Sequence, residues 1–241
     1  MCIKNRFIAL FYRVIFFLIG IITLIYDFGF FNGIFKKTNL LYFTILSNLF
    51  CSLTFFGLII KTILDIKKYG VRGSSSISPH IKGGVMLYIL ITMSVYHFIL
   101  IPYALHINPY QSLRIPDVVF HYIIPFAMLF DWLMFDEKGR FKLFDPFIWI
   151  CAPYIYVAFI FFQSRFEIAD RINAHISRYV YIFLDIGSLG INLVIKNILS
   201  LTVVFLIVGY LIIFVDRIRI DWRDEFRLGE TWGRPLIVQN F

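Results

Sequence analysis

Six apolar runs, at roughly 7–30, 40–62, 83–104, 117–135, 144–163 and 197–215, constrain this chain more than any other feature of it. Each approaches the ~20 residues a helix needs to cross the hydrocarbon core of a bilayer. Lipid offers no partners to backbone N–H and C=O groups, so each run predicts a helix that satisfies its own backbone. Composition agrees: 60% of the 241 residues are hydrophobic and 16% charged, where a soluble domain carries roughly 45–50% and 25%. The chain reads as an all-α, polytopic membrane helix bundle of six transmembrane helices. It forms one integral membrane domain over 1–241, with 216–241 as a tail. The first run lacks a small-residue cleavage site and continues to Phe30, so it reads as a retained span rather than a signal peptide.

The polar stretches between the runs place the charge. The net charge of +8 is spread among them rather than gathered in one patch, which favours a role in topology over nucleic-acid binding. With six spans, fifteen of the 23 Lys and Arg residues fall on one side and seven on the other, with Arg13 inside the first span. Positive charge concentrates on the cytoplasmic side, so both termini are expected there. Residues 179–195, "YVYIFLDIGSLGINLVI", are apolar but hold Asp185, Gly187 and Gly190. A seventh span there would send the C-terminal arginines outside, so the segment reads as re-entrant or interfacial. Cys2, Cys51 and Cys151 are odd in number and have no metal-ligand spacing.

The second run, around "LYFTILSNLF", carries a polar stripe. Thr44, Ser47, Asn48, Cys51 and Ser52 stand at offsets 0, 3, 4, 7 and 8, on one face of a helix. Small and polar residues commonly glue membrane helices together, each bond contributing about 0.6–2 kcal/mol. Packing therefore competes with chemistry as the reason for the stripe.

Ionisable groups inside the spans sharpen that choice, because each costs roughly 2.5 kcal/mol or more to place in a membrane. Arg13, Asp27 and Asp131 are read as snorkelling groups or structural ion pairs. His121 lies about one turn into the fourth span and His97 in the later half of the third. Asp117, four residues before His121, either orients its ring or starts the helix, the second being the favoured role. Spans two and four run in the same direction, and Thr44 and His121 both lie about 6 Å below the same surface at 1.5 Å per residue.

A threonine hydroxyl becomes a useful nucleophile when a base takes its proton, and histidine is the base suited to neutral pH. The pair Thr44 and His121 is thus a candidate nucleophile and base. Ser47 and Asn48, a turn away, are candidate oxyanion donors, and His97 a supporting or substrate-binding residue. The depth suits a lipid ester, whose polar linkage lies near the headgroup boundary. No cofactor and no resident metal is expected.

The blocks "YFTILSN" at 42–48, "VYHFILIP" at 95–102 and "HYIIPFAMLFDWLMF" at 121–135 resemble the bacterial, predicted six-transmembrane branch of the androgen-induced-gene and androgen-dependent TFPI-regulating protein family. The resemblance spans roughly residues 10 to 215. Animal members of that family are membrane threonine hydrolases that cleave fatty acid esters of hydroxy fatty acids with one threonine and one histidine. The resemblance implies that Thr44 and His121 are those two residues and that the partners are a lipid ester and membrane lipids. Two other readings stand beside it. One is a non-enzymatic lipid-binding or carrier protein, whose stripe lines a cavity. The other is a zinc-dependent hydrolase built on His97, His121 and Asp117 or Asp185. The chain carries no GxSxG elbow, HExxH, Walker A or His-x4-Asp box.

Overall fold

Apolar runs become well-bounded helices where their ends find partners for the free N–H and C=O groups, and most of the boundaries here have such a cause. In the computed structural model of the chain, residues 2–33, 35–107, 113–164 and 179–232 are described, with side chains of the last helix described through Ile218. Six helices are long and apolar enough to cross a membrane: α1 Arg6–Asp27, α2 Phe43–Tyr69, α3 Pro79–Ile107, α4 Ile115–Phe135, α5 Asp145–Gln163 and α6, whose apolar part is Ile191–Ile218. The described residues are otherwise turns and short helical pieces, without strands. This is a multi-pass membrane protein with an all-helical fold.

Asn5 caps α1 by accepting from the N–H of Phe7 and Ile8. Pro79, Pro116 and Pro146 sit in the first turns of α3, α4 and α5, where a missing N–H costs nothing. Two of the expected boundaries move. Helix α2 runs on to Tyr69, seven residues past its apolar run, because Lys61 and Asp65 pair at 2.6 Å four residues apart. Helix α6 begins at Ile191 and continues to Trp232, so most of the stretch read as a tail is helical. Residues 182–184 and 186–189 form two short turns, the second capped by the Asp185 carboxylate. The segment 179–195 is therefore two turns and the start of α6, not a span of its own.

The six crossings give the bundle two ends. The proximal end holds the N-terminus, the α2–α3 loop and the α4–α5 loop. The distal end holds the α1–α2 connection and the turns before α6. Helix α3 is central and touches α2, α4, α5 and α6, with Met86, Leu87 and Ile89 fully buried. Gly83 lets α5 approach, since a β-carbon there would overlap the Trp149 ring. Trp149 also donates to the carbonyl of His80 at 2.8 Å. On the other flank Gly20 brings α1 against α2, its β-position 3.1 Å from Ser52 Oγ.

The proximal end is closed by charge. Arg13 on α1 pairs through Nε with Asp131 Oδ1 of α4 at 2.8 Å and donates to Thr62 Oγ1 at 2.7 Å and the Ser75 carbonyl at 2.9 Å. Lys82 on α3 pairs with Asp131 and, at 2.7 Å, with Asp136. Arg13 and Asp131 are thus a structural ion pair, one of the two roles their sequence positions allow. Lys82 and Asp136, which look like loop-flanking charges, complete the cluster. Arg6 pins the α2–α3 loop by donating to the carbonyls of Gly70 and Arg72 at 2.8 and 2.6 Å.

Candidate active site

At the distal end the polar stripe of α2 faces α4. Tyr42 is extended and α2 begins at Phe43, so Thr44 is the second residue of the helix and projects at its mouth. Its Oγ1 lies 3.3 Å from His121 Nε2. Matched depth only permits this meeting; the rotations of α2 and α4 produce it.

The local backbone explains the ring's position. His121 lies in a π turn, Val119–Ile123, and His97 in another, Tyr96–Leu100. Each turn ends two residues before a proline, Pro125 or Pro102. Proline has no N–H to give the carbonyl four residues back, here that of His121 or Phe98, and its ring crowds that carbonyl. A widened turn relieves the crowding, and π bulges of this kind recur at functional sites. In the sequence, a proline late in an apolar run, four residues after His121 and five after His97, is the signal for this distortion.

His121 is 5% exposed and its protonation pattern follows from its neighbours. Nδ1 is 2.9 Å from the Asp117 carbonyl oxygen. A carbonyl only accepts, so in the neutral ring Nδ1 carries the hydrogen and Nε2 offers a lone pair. The Thr44 hydroxyl donates to that lone pair. At 3.3 Å the bond is loose, as such contacts often are in unliganded sites. The Tyr96 ring lies flat on the imidazole, centroids 3.6 Å apart and planes 8° from parallel, and holds its orientation. Asp117 therefore orients His121 through its main chain. Its carboxylate is taken by Arg114, from Nη2 at 2.9 Å, Nε at 3.1 Å and the backbone N–H at 3.2 Å, so the side chain serves the helix start.

Ser47 and Asn48 have other work than holding an oxyanion. Both are buried, and Asn48 Nδ2 donates to the Thr44 carbonyl at 2.8 Å and the Phe120 carbonyl at 3.2 Å. Ser47 Oγ lies 3.0 Å from the Thr44 carbonyl and 3.0 Å from Thr92 Oγ1. Both fix the backbone of Thr44; Asn48 clips α2 to α4 beside His121, and Ser47 ties α2 to α3. His97 is turned away: it is exposed, bonds Tyr122 Oη at 3.0 Å and lines no cavity at the pair. Among the described residues no three His, Cys, Asp or Glu side chains are grouped as metal ligands.

Tyr181 is a site residue that no sequence pattern singles out. It reaches over from the turns before α6, is 8% exposed, and sets its hydroxyl against the Thr44 side chain and the backbone of Phe43 and Thr44. Burial pushes its pKa up, which keeps the hydroxyl protonated as a donor. The first N–H groups of a helix have no intrahelical acceptor, and those of Phe43 and Thr44 are directed at the Tyr181 oxygen.

Two cavities meet at Thr44. A polar vestibule of about 410 Å³ is lined by Asp27, Lys36, Arg114, Asp117 and His121 among others, and a mostly apolar cavity of about 90 Å³ lies among α2, α3, α5 and α6. Compared with family models, curated proteins and solved structures, the chain finds no match in any of the three.

Proposed function

We propose that the protein is an intramembrane hydrolase of lipid esters, with Thr44 as nucleophile and His121 as base. The observation that carries this is the Thr44 hydroxyl facing a histidine nitrogen that is held as an acceptor by the Asp117 carbonyl on the far side of the ring. Thr44 Oγ1 attacks the ester carbonyl carbon as its proton passes to His121 Nε2. The Phe43 and Thr44 N–H groups and the Tyr181 hydroxyl receive the negative charge that forms on the carbonyl oxygen. Collapse breaks the bond to the alcohol, which takes the proton from Nε2 and leaves an acyl-threonine ester. His121 then takes a proton from water as its oxygen attacks the acyl carbon, and returns it to Thr44 Oγ1 as the acyl–threonine bond breaks, releasing the free fatty acid.

The distal end, poorer in positive charge, faces outward in this reading, with the termini cytoplasmic and the protein in a bacterial inner membrane. Fatty acid esters of hydroxy fatty acids, the substrates that the family resemblance implies, carry an ester flanked by long chains and fit a site between a greasy and a polar cavity.

The test is release of free fatty acid from such an ester by the purified protein in detergent. Wild type turns over, and Thr44→Ala and His121→Ala each lose more than about 10³-fold in kcat while unfolding at the wild-type temperature. A Thr44→Ala protein with full activity would end the nucleophile assignment. A wild type that binds lipid but cleaves no ester would make the site a carrier's cavity instead.

A further inference from the structure

The two cavities share Thr44, Leu100 and Tyr181 in their walls. His121 lines the polar vestibule alone, while Val157, Ile198 and Leu201 line only the apolar cavity. Thr44 thus stands in a partition with its base on one side of it. That asymmetry bears on which arm of an ester goes where.

Resting on the hydrolase reading, we propose that the apolar cavity is an acyl-chain pocket and that the alcohol arm occupies the vestibule. The base that takes the threonine proton must return it to the departing oxygen, so the alcohol lies on the side of His121. The acyl carbon keeps its bond to Thr44 and its chain points to the other side of the partition.

The walls fit these roles. Hydroxyl groups bordering the apolar cavity are committed to one another or to the backbone: Tyr156 donates to the Leu41 carbonyl at 2.7 Å, Thr92 to the Tyr88 carbonyl at 3.0 Å, and Tyr154 and Thr202 bond each other at 2.8 Å. Methylenes placed there strand no polar group. The vestibule instead presents Asp27, Lys36, Arg114 and Asp117, suited to a hydrated or charged alcohol portion. Lining runs from Leu184, 1% exposed, to Tyr154, 42% exposed. The pocket therefore begins inside the bundle and opens on its flank at α5 and α6. At about 90 Å³ it encloses only the carbons next to the carbonyl, and the rest of a long chain runs out through the flank among lipid tails.

The experiment compares kcat/KM for 4-nitrophenyl acetate and 4-nitrophenyl dodecanoate in wild type, Val157→Trp and Leu201→Trp, two independent ways to fill the pocket. Turnover of either ester by wild type tests the hydrolase reading; the ratio between the esters tests the pocket. The expected result is a fall of at least about 30-fold for dodecanoate, equivalent to about 2 kcal/mol at 1.4 kcal/mol per tenfold, with acetate cleavage within threefold. A ratio unchanged in both folded variants overturns the pocket and leaves the hydrolase standing. Wild type inert on both esters overturns both.

Discussion

The two ends of the bundle bury polar groups in opposite ways. At the proximal end Arg13, Lys82, Asp131 and Asp136 set two cations against two carboxylates, all buried, with Thr62 and the Ser75 carbonyl taking further donors. At the distal end Thr44 and His121 are neutral, joined by one loose bond, and open to two cavities. Charges buried in a membrane cost so much that they persist only when matched closely, and a matched cluster has little capacity left for a substrate. A hydroxyl and an imidazole cost far less to bury and keep a lone pair and a proton to exchange. Strong pairing of opposite charges closes the proximal end; weak, incomplete pairing is what a reactive site requires.

Substitutions at the two ends break this contrast differently. Asp131→Ala leaves Arg13 and Lys82 buried with only Asp136 between them. Breaking a buried ion network in this way costs about 3–5 kcal/mol, so the variant unfolds at clearly lower temperature or denaturant in detergent. Whatever folds retains the distal site and its activity per folded molecule. Thr44→Ala gives the reverse pattern, lost activity with unchanged unfolding. Should Asp131→Ala unfold like wild type, the cluster is not what holds α1, α3 and α4 together.

Tyr181→Phe removes one oxyanion donor and almost no volume. Loss of such a donor lowers kcat by about 10²-fold or more in well-studied hydrolases, and a fall of that order is expected here with KM and unfolding temperature near wild type. A drop in KM-dependent binding alone would make Tyr181 part of the cavity wall. Asn48→Ala has a smaller effect of mixed kind. It frees the Thr44 and Phe120 carbonyls, costing about 0.6–2 kcal/mol in stability, and lets Thr44 drift from His121, lowering kcat roughly tenfold for about 1.4 kcal/mol of lost positioning. If kcat holds while stability falls, the clip matters to packing only.

These residues also mark how far sequence reasoning reaches. Six spans were legible because lipid makes each crossing declare itself by length and hydropathy. Thr44 and His121 were legible as a pair because depth along a helix follows from residue number. Rotation about the helix axis and contacts across chain distance do not. Ser47 and Asn48 share the face of Thr44 and so resembled oxyanion donors, but their partners on α3 and α4 depend on how those helices are turned. Tyr181 comes from a short turn 137 residues away, in a segment with no periodic pattern to place it. Lys82 and Asp136 looked like ordinary flanking charges because only the packed bundle brings them to Asp131.

His97 gives the smallest effect and tests the comparison most finely. It sits in a π turn like His121, one residue from the Tyr96 that stacks on the His121 ring, and in the sequence it looked like part of the site. In the structure it faces outward, bonded to Tyr122. If chemistry at the distal end depends on the unsaturated pair and its immediate supports, His97→Ala changes kcat by less than about twofold. Stability then falls only by the ~0.6 kcal/mol typical of one hydrogen bond between membrane helices. The useful readout is kcat measured beside that of Asn48→Ala, since both substitutions remove one polar side chain near the site. Asn48 touches the backbone of Thr44, whereas His97 bonds the Tyr122 hydroxyl and packs edge-on against Phe98. A tenfold loss in His97→Ala would mean that the Tyr96 and Tyr122 rings transmit its position to His121. The reactive end would then be supported by an outer layer of aromatic contacts, as firmly built as the ion cluster at the opposite end.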